Sequence, residues 1–260
     1  MFHLKGYNSS MKSYRALLAL AKVTAAQWGM VTTAQAETLG ITRLMLSRLA
    51  DAGHLERLSY GVYRDAGAPN AEFEALRAAW LSTEPKLRAE ERLHNLADGV
   101  VVASSSAAAL HGVGDLWADR HEFVTAKRRQ TQRAEIRYRQ RRLDDRDITL
   151  VAGLPVMTLE RTLADLLDDV QEMSLVANAL GMAMRKQRLD SDRMRELFGP
   201  LAERNGCKRH DGNAVLERLL TIAGSNPSSN AHMVSGVLAA PQTGETEGSN
   251  ENTTSQEAKQ

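Results

Sequence analysis

The chain of 260 residues contains a single cysteine, Cys207. That excludes an intramolecular disulfide framework and any cysteine-rich zinc site, and it suits a reducing compartment. No stretch approaches a membrane span. The apolar run at residues 16–21 is stopped by Lys22, too soon for a signal peptide. The expectation is a soluble cytoplasmic protein without membrane partners. The chain also lacks a sizeable net charge, at a formal +1. Lys and Arg number 33 against 32 Asp and Glu, so any electrostatic message is local.

The usual catalytic patterns are missing as well. The seven histidines are scattered without metal-ligand spacing. Gly112-Val113-Gly114 lacks the third glycine and the lysine of a phosphate-binding loop. Ser104-Ser105-Ser106 has no nucleophile elbow around it. His111, at a helix end before Gly112, is explained by capping and packing. Cys207 has Lys208 and Arg209 beside it, yet it stands alone. Asp144, Asp145 and Asp147 lie close together, as a metal-dependent nuclease would need, but no acidic partner with a lysine follows at strand spacing. There is no internal repeat. The reading is of a non-enzyme, with no catalytic residue, cofactor or metal.

What is present is a compact pattern at residues 31–64. Thr32 and Thr33 can cap a helix with a side-chain oxygen. Glu37 lies too far on to close a capping box, so a single cap is expected. Ala34, Gln35, Ala36 and Glu37 favour helix. Gly40 suits the left-handed turn that ends it. Thr42 caps a second helix over 43–52, with Leu46, Leu49 and Ala50 as its inward stripe and Gly53 after it. Small Ala36 and the turn glycine four residues on carry the spacing of a helix-turn-helix. The outward face of the second helix is Thr42, Arg43, Leu44, Ser47 and Arg48. Its N-terminal part is the part that reaches base edges in such motifs. Arg43 and Arg48 are candidates for guanine or phosphate, and Ser47 for a base or phosphate. Two short strands, 55–58 and 62–64, flank Ser59-Tyr60-Gly61 as a hairpin wing. Arg57, Tyr60 and Arg64 suit backbone contacts beside the groove.

The rest of the chain organises around this module. Residues 1–12 read as loose, and Met11 is an alternative start to Met1 because the amphipathic pattern begins there. A helix over 13–28 offers Leu17, Leu18, Leu20, Ala21 and Val23 for burial, and with residues up to 66 it completes a DNA-binding domain. Residues 67–97 read as a linker region with a helix over 72–81 and a charged surface stretch over 84–95. A second domain spans 98–224. It holds strands at 100–102, 121–125, 135–138, 147–151 and 154–157, and helices at 104–110, 159–168 (capped by Thr158), 173–185, 191–202 and 212–223. Residues 225–260 are rich in Asn, Ser, Thr, Gly and Glu, with two prolines and no aromatics. They bury too little to fold and read as a disordered tail. The fold class is therefore α+β: a winged helix-turn-helix, then a mixed α/β domain, then the tail.

The densest charge is Lys127, Arg128, Arg129, Arg133, Arg137, Arg139, Arg141 and Arg142, opposed within the run only by Glu135. Such a footprint suits nucleic acid or an acidic partner surface. Its structural alternative is a charged edge strand that blocks aggregation, with Asp144, Asp145 and Asp147 neutralising part of it.

Taken in order, several segments resemble the AbiEi family, the antitoxins of type IV toxin–antitoxin systems. They are Gly29-Met30-Val31-Thr32-Thr33-Ala34-Gln35-Ala36, Leu39-Gly40-Ile41, Leu55-Glu56-Arg57 with Gly61-Val62-Tyr63-Arg64, the small residues 104–109 ending in Leu110-His111-Gly112, Gly153-Leu154-Pro155-Val156, and Arg161-Thr162-Leu163-Ala164-Asp165-Leu166. The resemblance covers most of residues 14–170. It implies an N-terminal winged helix that binds double-stranded DNA, repressing its own operon at inverted repeats, and a C-terminal antitoxin domain. The implied functional partner is a nucleotidyltransferase-like toxin, opposed without a stable complex. The same N-terminal half also occurs fused to nuclease-like domains. A winged-helix-targeted nuclease and a plain regulator without a toxin are the alternatives.

Overall fold

The computed structural model describes residues 3–115, 119–170 and 172–225, with side chains from residue 12 to residue 224 within those spans. The chain opens with α1 (His3–Thr24), β1 (Met30–Thr32), α2 (Thr33–Thr38) and α3 (Arg43–Asp51). A hairpin of β2 (Leu55–Ser59) and β3 (Val62–Asp65) follows. The three strands pair antiparallel in the order β1-β3-β2. This is a winged helix-turn-helix, with β2 and β3 as the wing.

Helix α1 begins at His3, so the stretch expected to be loose is helical from there. Each residue added to a helix already nucleated by packing gains a backbone hydrogen bond. Ala16, Leu20 and Val23 form its buried stripe. Leu18 and Ala21, expected inside, lie off that stripe and are exposed.

Thr32 caps α2, and the box is closed after all. The Thr32 hydroxyl accepts from the Gln35 N–H at 3.1 Å, and the Gln35 side-chain oxygen accepts from the Thr32 N–H at 2.9 Å. The third helical position, which closes a capping box, belongs to Gln35 rather than to Glu37. Gly40, at φ +75°, makes the turn into α3. Thr42 caps α3, accepting from the Met45 N–H at 3.3 Å.

Alternation along β1 and β3 splits this sheet between two cores. Val31 and Tyr63 join Leu20, Ile41, Leu46 and Leu49 beneath the helix-turn-helix. Met30 and Val62 face the other way, into a core shared with the rest of the chain. That core is built on α4 (Glu74–Thr83), α5 (Ala89–Arg92) and a five-stranded sheet. The sheet comprises β4 (Val101–Val102), β5 (His121–Thr125), β6 (Ile136–Gln140), β7 (Ile148–Val151) and β8 (Leu154–Met157) in the order β6-β5-β4-β8-β7. The β4–β8 and β5–β6 pairs are parallel, and the β4–β5 and β7–β8 pairs antiparallel.

The charged stretch over 84–95 is not simply surface. Arg92 is buried, its guanidinium 3.4 Å from the centre of the Trp80 ring and its Nε 3.1 Å from the Glu84 carboxylate. An arginine is tolerated there because the aromatic face and the carboxylate replace water.

The second large core belongs to α6 (Ser104–His111), α7 (Leu159–Asp169), α8 (Met173–Lys186), α9 (Ser191–Phe198) and α10 (Gly212–Ser225). Thr158 caps α7 as expected. The helix read over 191–202 stops at Phe198 and continues as two short 3-10 turns. Pro200, which has no N–H to donate, sits at that break. The architecture is α+β, a winged helix-turn-helix followed by a mixed α/β body. The tail expected to be disordered lies outside the described residues beyond Ser225.

Candidate nucleic-acid interface

Leu46 and Leu49 anchor α3 to the core beneath it, at 0% and 1% exposure. This turns Thr42, Arg43, Leu44, Ser47 and Arg48 outward, and all five are exposed. Leu44 is an apolar side chain held 61% in solvent. On a recognition helix such a side chain fits the methyl group of a thymine. Arg43 holds Glu37 at 3.0 Å in a pair open to water, and such pairs contribute little. Arg48 makes no ion pair with any described residue.

The wing lies alongside. Gly61, at φ +74°, permits the tight turn at its tip, and its carbonyl accepts from the Thr33 N–H at 2.8 Å. That bond ties the wing to the start of α2. Arg57 is exposed, and its guanidinium lies 5.9 Å from the centre of the Tyr60 ring. Tyr60 is 71% exposed.

Arg64 does not belong to this surface. Its side chain is 7% exposed and bonds Glu56, Glu74 and Asn70. Strand alternation and the burial of residues 62–64 in β3 draw it inward, where three side-chain oxygens bond its two terminal nitrogens. It is a structural arginine and leaves the DNA-facing set.

Half of the basic run is paired within the fold. Arg129 bonds Glu84 and the Thr83 carbonyl. Arg137 pairs with Glu122 at 3.0 Å. Arg139 and Arg141 meet Asp165, Asp168 and Asp169 on α7. The neutralising acids come from distant elements rather than from the neighbouring aspartates. Asp147 is buried and bidentate to Arg193 at 2.8 and 2.6 Å. Asp144 pairs with Arg146 at 2.9 Å. Among the described residues no group of three His, Cys, Asp or Glu side chains is placed to hold a metal ion. Lys127, Arg128 and Arg142 remain exposed and without an ion pair to any described residue.

Arg133 is half-buried and has no carboxylate partner among the described residues. It donates to the Ser82 hydroxyl at 2.6 Å, and its guanidinium lies 5.5 Å from the Tyr60 ring centre. A cleft of about 220 Å³ is lined by Arg43, Arg57, Tyr60 and Arg133 together. The fold therefore brings the recognition helix, the wing and one member of the basic run to a single cationic cleft. Arg133 lies 73 residues from Tyr60 in the chain, and no local signal in the sequence announces that meeting.

Two further polar links went unread in the sequence. Gln27 and Gln35, both buried, bond each other at 2.9 and 3.2 Å. Gln35 also donates to the Leu87 carbonyl at 2.7 Å, and Gln27 accepts from the Ala89 N–H at 2.9 Å. They stitch the helix-turn-helix to the α4–α5 region.

Residues 19–64, from the second half of α1 to the last strand of the wing, match the family described as "Transcriptional regulator, AbiEi antitoxin". No curated protein matches the chain. Among solved structures, the crystal structure of RV2827C protein from Mycobacterium tuberculosis is similar at 16% identity and a TM-score of 0.47, over 78% of this chain and 77% of that one. Among the described residues no helix is long and apolar enough to cross a membrane.

Proposed function

We propose that this protein is a DNA-binding transcriptional regulator of the antitoxin type, acting by binding rather than catalysis. The observation that carries the reading is the cleft where Arg43, Arg57, Tyr60 and Arg133 meet beside the exposed face of α3. The family match over residues 19–64 supports the same class. In this reading Thr42, Arg43, Leu44, Ser47 and Arg48 enter the major groove. Arg57, Tyr60 and Arg133 hold the flanking phosphates. Lys127, Arg128 and Arg142 add unpaired charge on the body.

The finer reading follows the family resemblance. The target is the protein's own promoter, at inverted repeats, in the cytoplasm. The body opposes a nucleotidyltransferase-like toxin without forming a stable complex with it. Residues 13–66 form the DNA-binding domain, 67–97 the connection and 98–224 the antitoxin domain. The connection is built into the shared core through Trp80, Ala89 and Arg92, so cutting the chain near residue 70 would open that core. Point substitutions are the cleaner way to separate the two roles.

The test is binding of the full chain to its upstream DNA and to unrelated DNA of equal length. The expected result is a preference for the upstream DNA that falls by about 1–3 kcal/mol for each base contact removed from Arg43 or Arg48. Equal affinity for both DNAs, indifferent to Arg43→Ala and Arg48→Ala, contradicts the reading. Co-expression with the product of the adjacent gene tests the antitoxin role: growth rescue by a chain carrying both substitutions is expected, because the toxin-opposing surface lies on the body.

A further inference from the structure

Next to the DNA-facing cleft, with which it shares Ser82 and Arg133, the loop between β5 and β6 packs on the end of α4 and borders a second space open to solvent. Two adjoining cavities of about 330 and 650 Å³ share Arg129, Gln130, Thr131, Ile136 and Tyr138 in their walls. The smaller one also touches Ser82, Thr83 and Arg133. Charge is unbalanced here. Three guanidiniums, Arg92, Arg129 and Arg133, cluster around Tyr138, and one carboxylate, Glu84, answers them. Glu84 is shared between Arg92 and Arg129, so Arg133 is left without a carboxylate partner among the described residues. Burial pushes the Arg92 guanidinium down to about 9, which leaves it charged at neutral pH. The hydroxyls of Thr131 and Tyr138 line the same space and can donate to an anion, whereas those of Ser82 and Thr83 already donate to the Ala79 and Trp80 carbonyls. Ile136 and the half-buried Tyr138 ring supply an apolar wall. The volume is that of a small-ligand site, and its few converging polar groups are the usual means of orienting one.

We propose that this cavity binds a small organic phosphate of mononucleotide size, and that Arg133, which lines both this cavity and the DNA-facing cleft, makes that ligand compete with DNA. The phosphate takes Arg133 and Arg129 through charge-assisted hydrogen bonds. The organic part lies on Ile136 and Tyr138. With Arg133 drawn to the ligand, its guanidinium leaves Tyr60 and the cleft loses one of its cations. The inference deepens the DNA-binding reading and rests on it for its regulatory half.

The experiment is calorimetric titration of the full chain with AMP, and separately with inorganic phosphate, at constant ionic strength. DNA affinity is then measured with and without saturating AMP. AMP is expected to bind more tightly than inorganic phosphate, to lose roughly tenfold or more in Arg133→Gln, to weaken in Tyr138→Phe, and to be unaffected by Arg43→Gln. Saturating AMP is expected to weaken DNA binding by the wild type and to leave Arg133→Gln insensitive. Circular dichroism of each variant establishes that it is folded before its affinity is read. No heat with AMP at millimolar concentration overturns the proposal. So does AMP binding no tighter than inorganic phosphate, or AMP binding lost equally in Arg43→Gln, which would place the anion in the DNA cleft. DNA affinity without AMP is read independently. If DNA fails to bind while AMP binds through Arg133, the DNA-binding reading fails and the ligand site stands.

Discussion

The guanidinium of Arg133 lies 5.5 Å from the centre of the Tyr60 ring, and that of Arg57 lies 5.9 Å from it. Tyr60 thus joins a cation of the wing to a cation of the body. A contact at such an exposed ring is worth only about 0.5–1 kcal/mol. Its importance is positional: it sets Arg133 in the row with Arg43 and Arg57. Tyr60→Ala should therefore leave the melting midpoint nearly unchanged and weaken DNA binding. A fluorescence anisotropy titration beside a thermal melt separates the two effects.

Arg64 should behave in the opposite way. Its side chain is buried against Glu56, Glu74 and Asn70. Removing it leaves those partners unpaired, and Arg64→Ala should cost about 1–3 kcal/mol of stability in denaturant unfolding. The variant that remains folded should bind DNA with the wild-type salt dependence, since no phosphate contact is lost.

The cap at α2 carries both local and long-range bonds. Thr32→Ala removes the acceptor for the Gln35 N–H and should cost about 0.5–2 kcal/mol. Gln35→Ala should cost more, because Gln27 and the Leu87 carbonyl lose their partner too. Amide hydrogen exchange in α2 should speed up in both variants, and in the segment from Pro85 into α5 more in Gln35→Ala, since Thr32→Ala loses there only the hydroxyl's bond to the Pro85 carbonyl.

Acid should destabilise the fold before any carboxylate titrates. Burial lowers the pKa of His111, whose Nε2 lies 2.7 Å from the Met157 carbonyl, and burial lowers His121 as well. The unfolded imidazole titrates near about 6.5. Below that pH the unfolded chain takes up protons that the folded chain resists, so stability falls as pH drops through the interval between the unfolded and folded values. Above it both states are neutral and the full stability is present. Urea unfolding in steps from neutral pH downward should show this slope, reduced in His111→Gln.

Gly212 gives a purely steric prediction. A Cβ there would meet the Arg195 carbonyl oxygen at 1.9 Å. Backbone cannot yield cheaply, so Gly212→Ala should lose stability by about 1–3 kcal/mol or more, read as a lower melting midpoint.

Much of this fold was legible because its signals are local. Gly40, Thr42 and the Leu46/Leu49 stripe place the helix-turn-helix within a few residues of where it lies. The sheet strands and α7 with its Thr158 cap were also readable from pattern and capping. What failed depended on partners far away in the chain. Arg64 on a short strand looks like a wing cation until Glu74 is known to reach it. Arg139 and Arg141 look like a basic patch until α7 presents Asp165 and Asp168. The candidate interface was half-legible for the same reason: α3 and the wing were visible in the pattern, whereas the arrival of Arg133 depends on how the β5–β6 loop packs on α4.

The most direct test of the account is the salt dependence of DNA binding, measured in phosphate-free buffer for the wild type and for Arg43→Ala/Arg57→Ala/Arg133→Ala. If Arg57 and Arg133 grip phosphates while Arg43 enters the groove beside them, the slope of log affinity against log salt should shrink by about 2 in the triple variant, near 0.9 per lost phosphate contact, and the affinity should fall further with the lost Arg43 base contact. An unchanged slope and affinity in a folded triple variant would contradict the account.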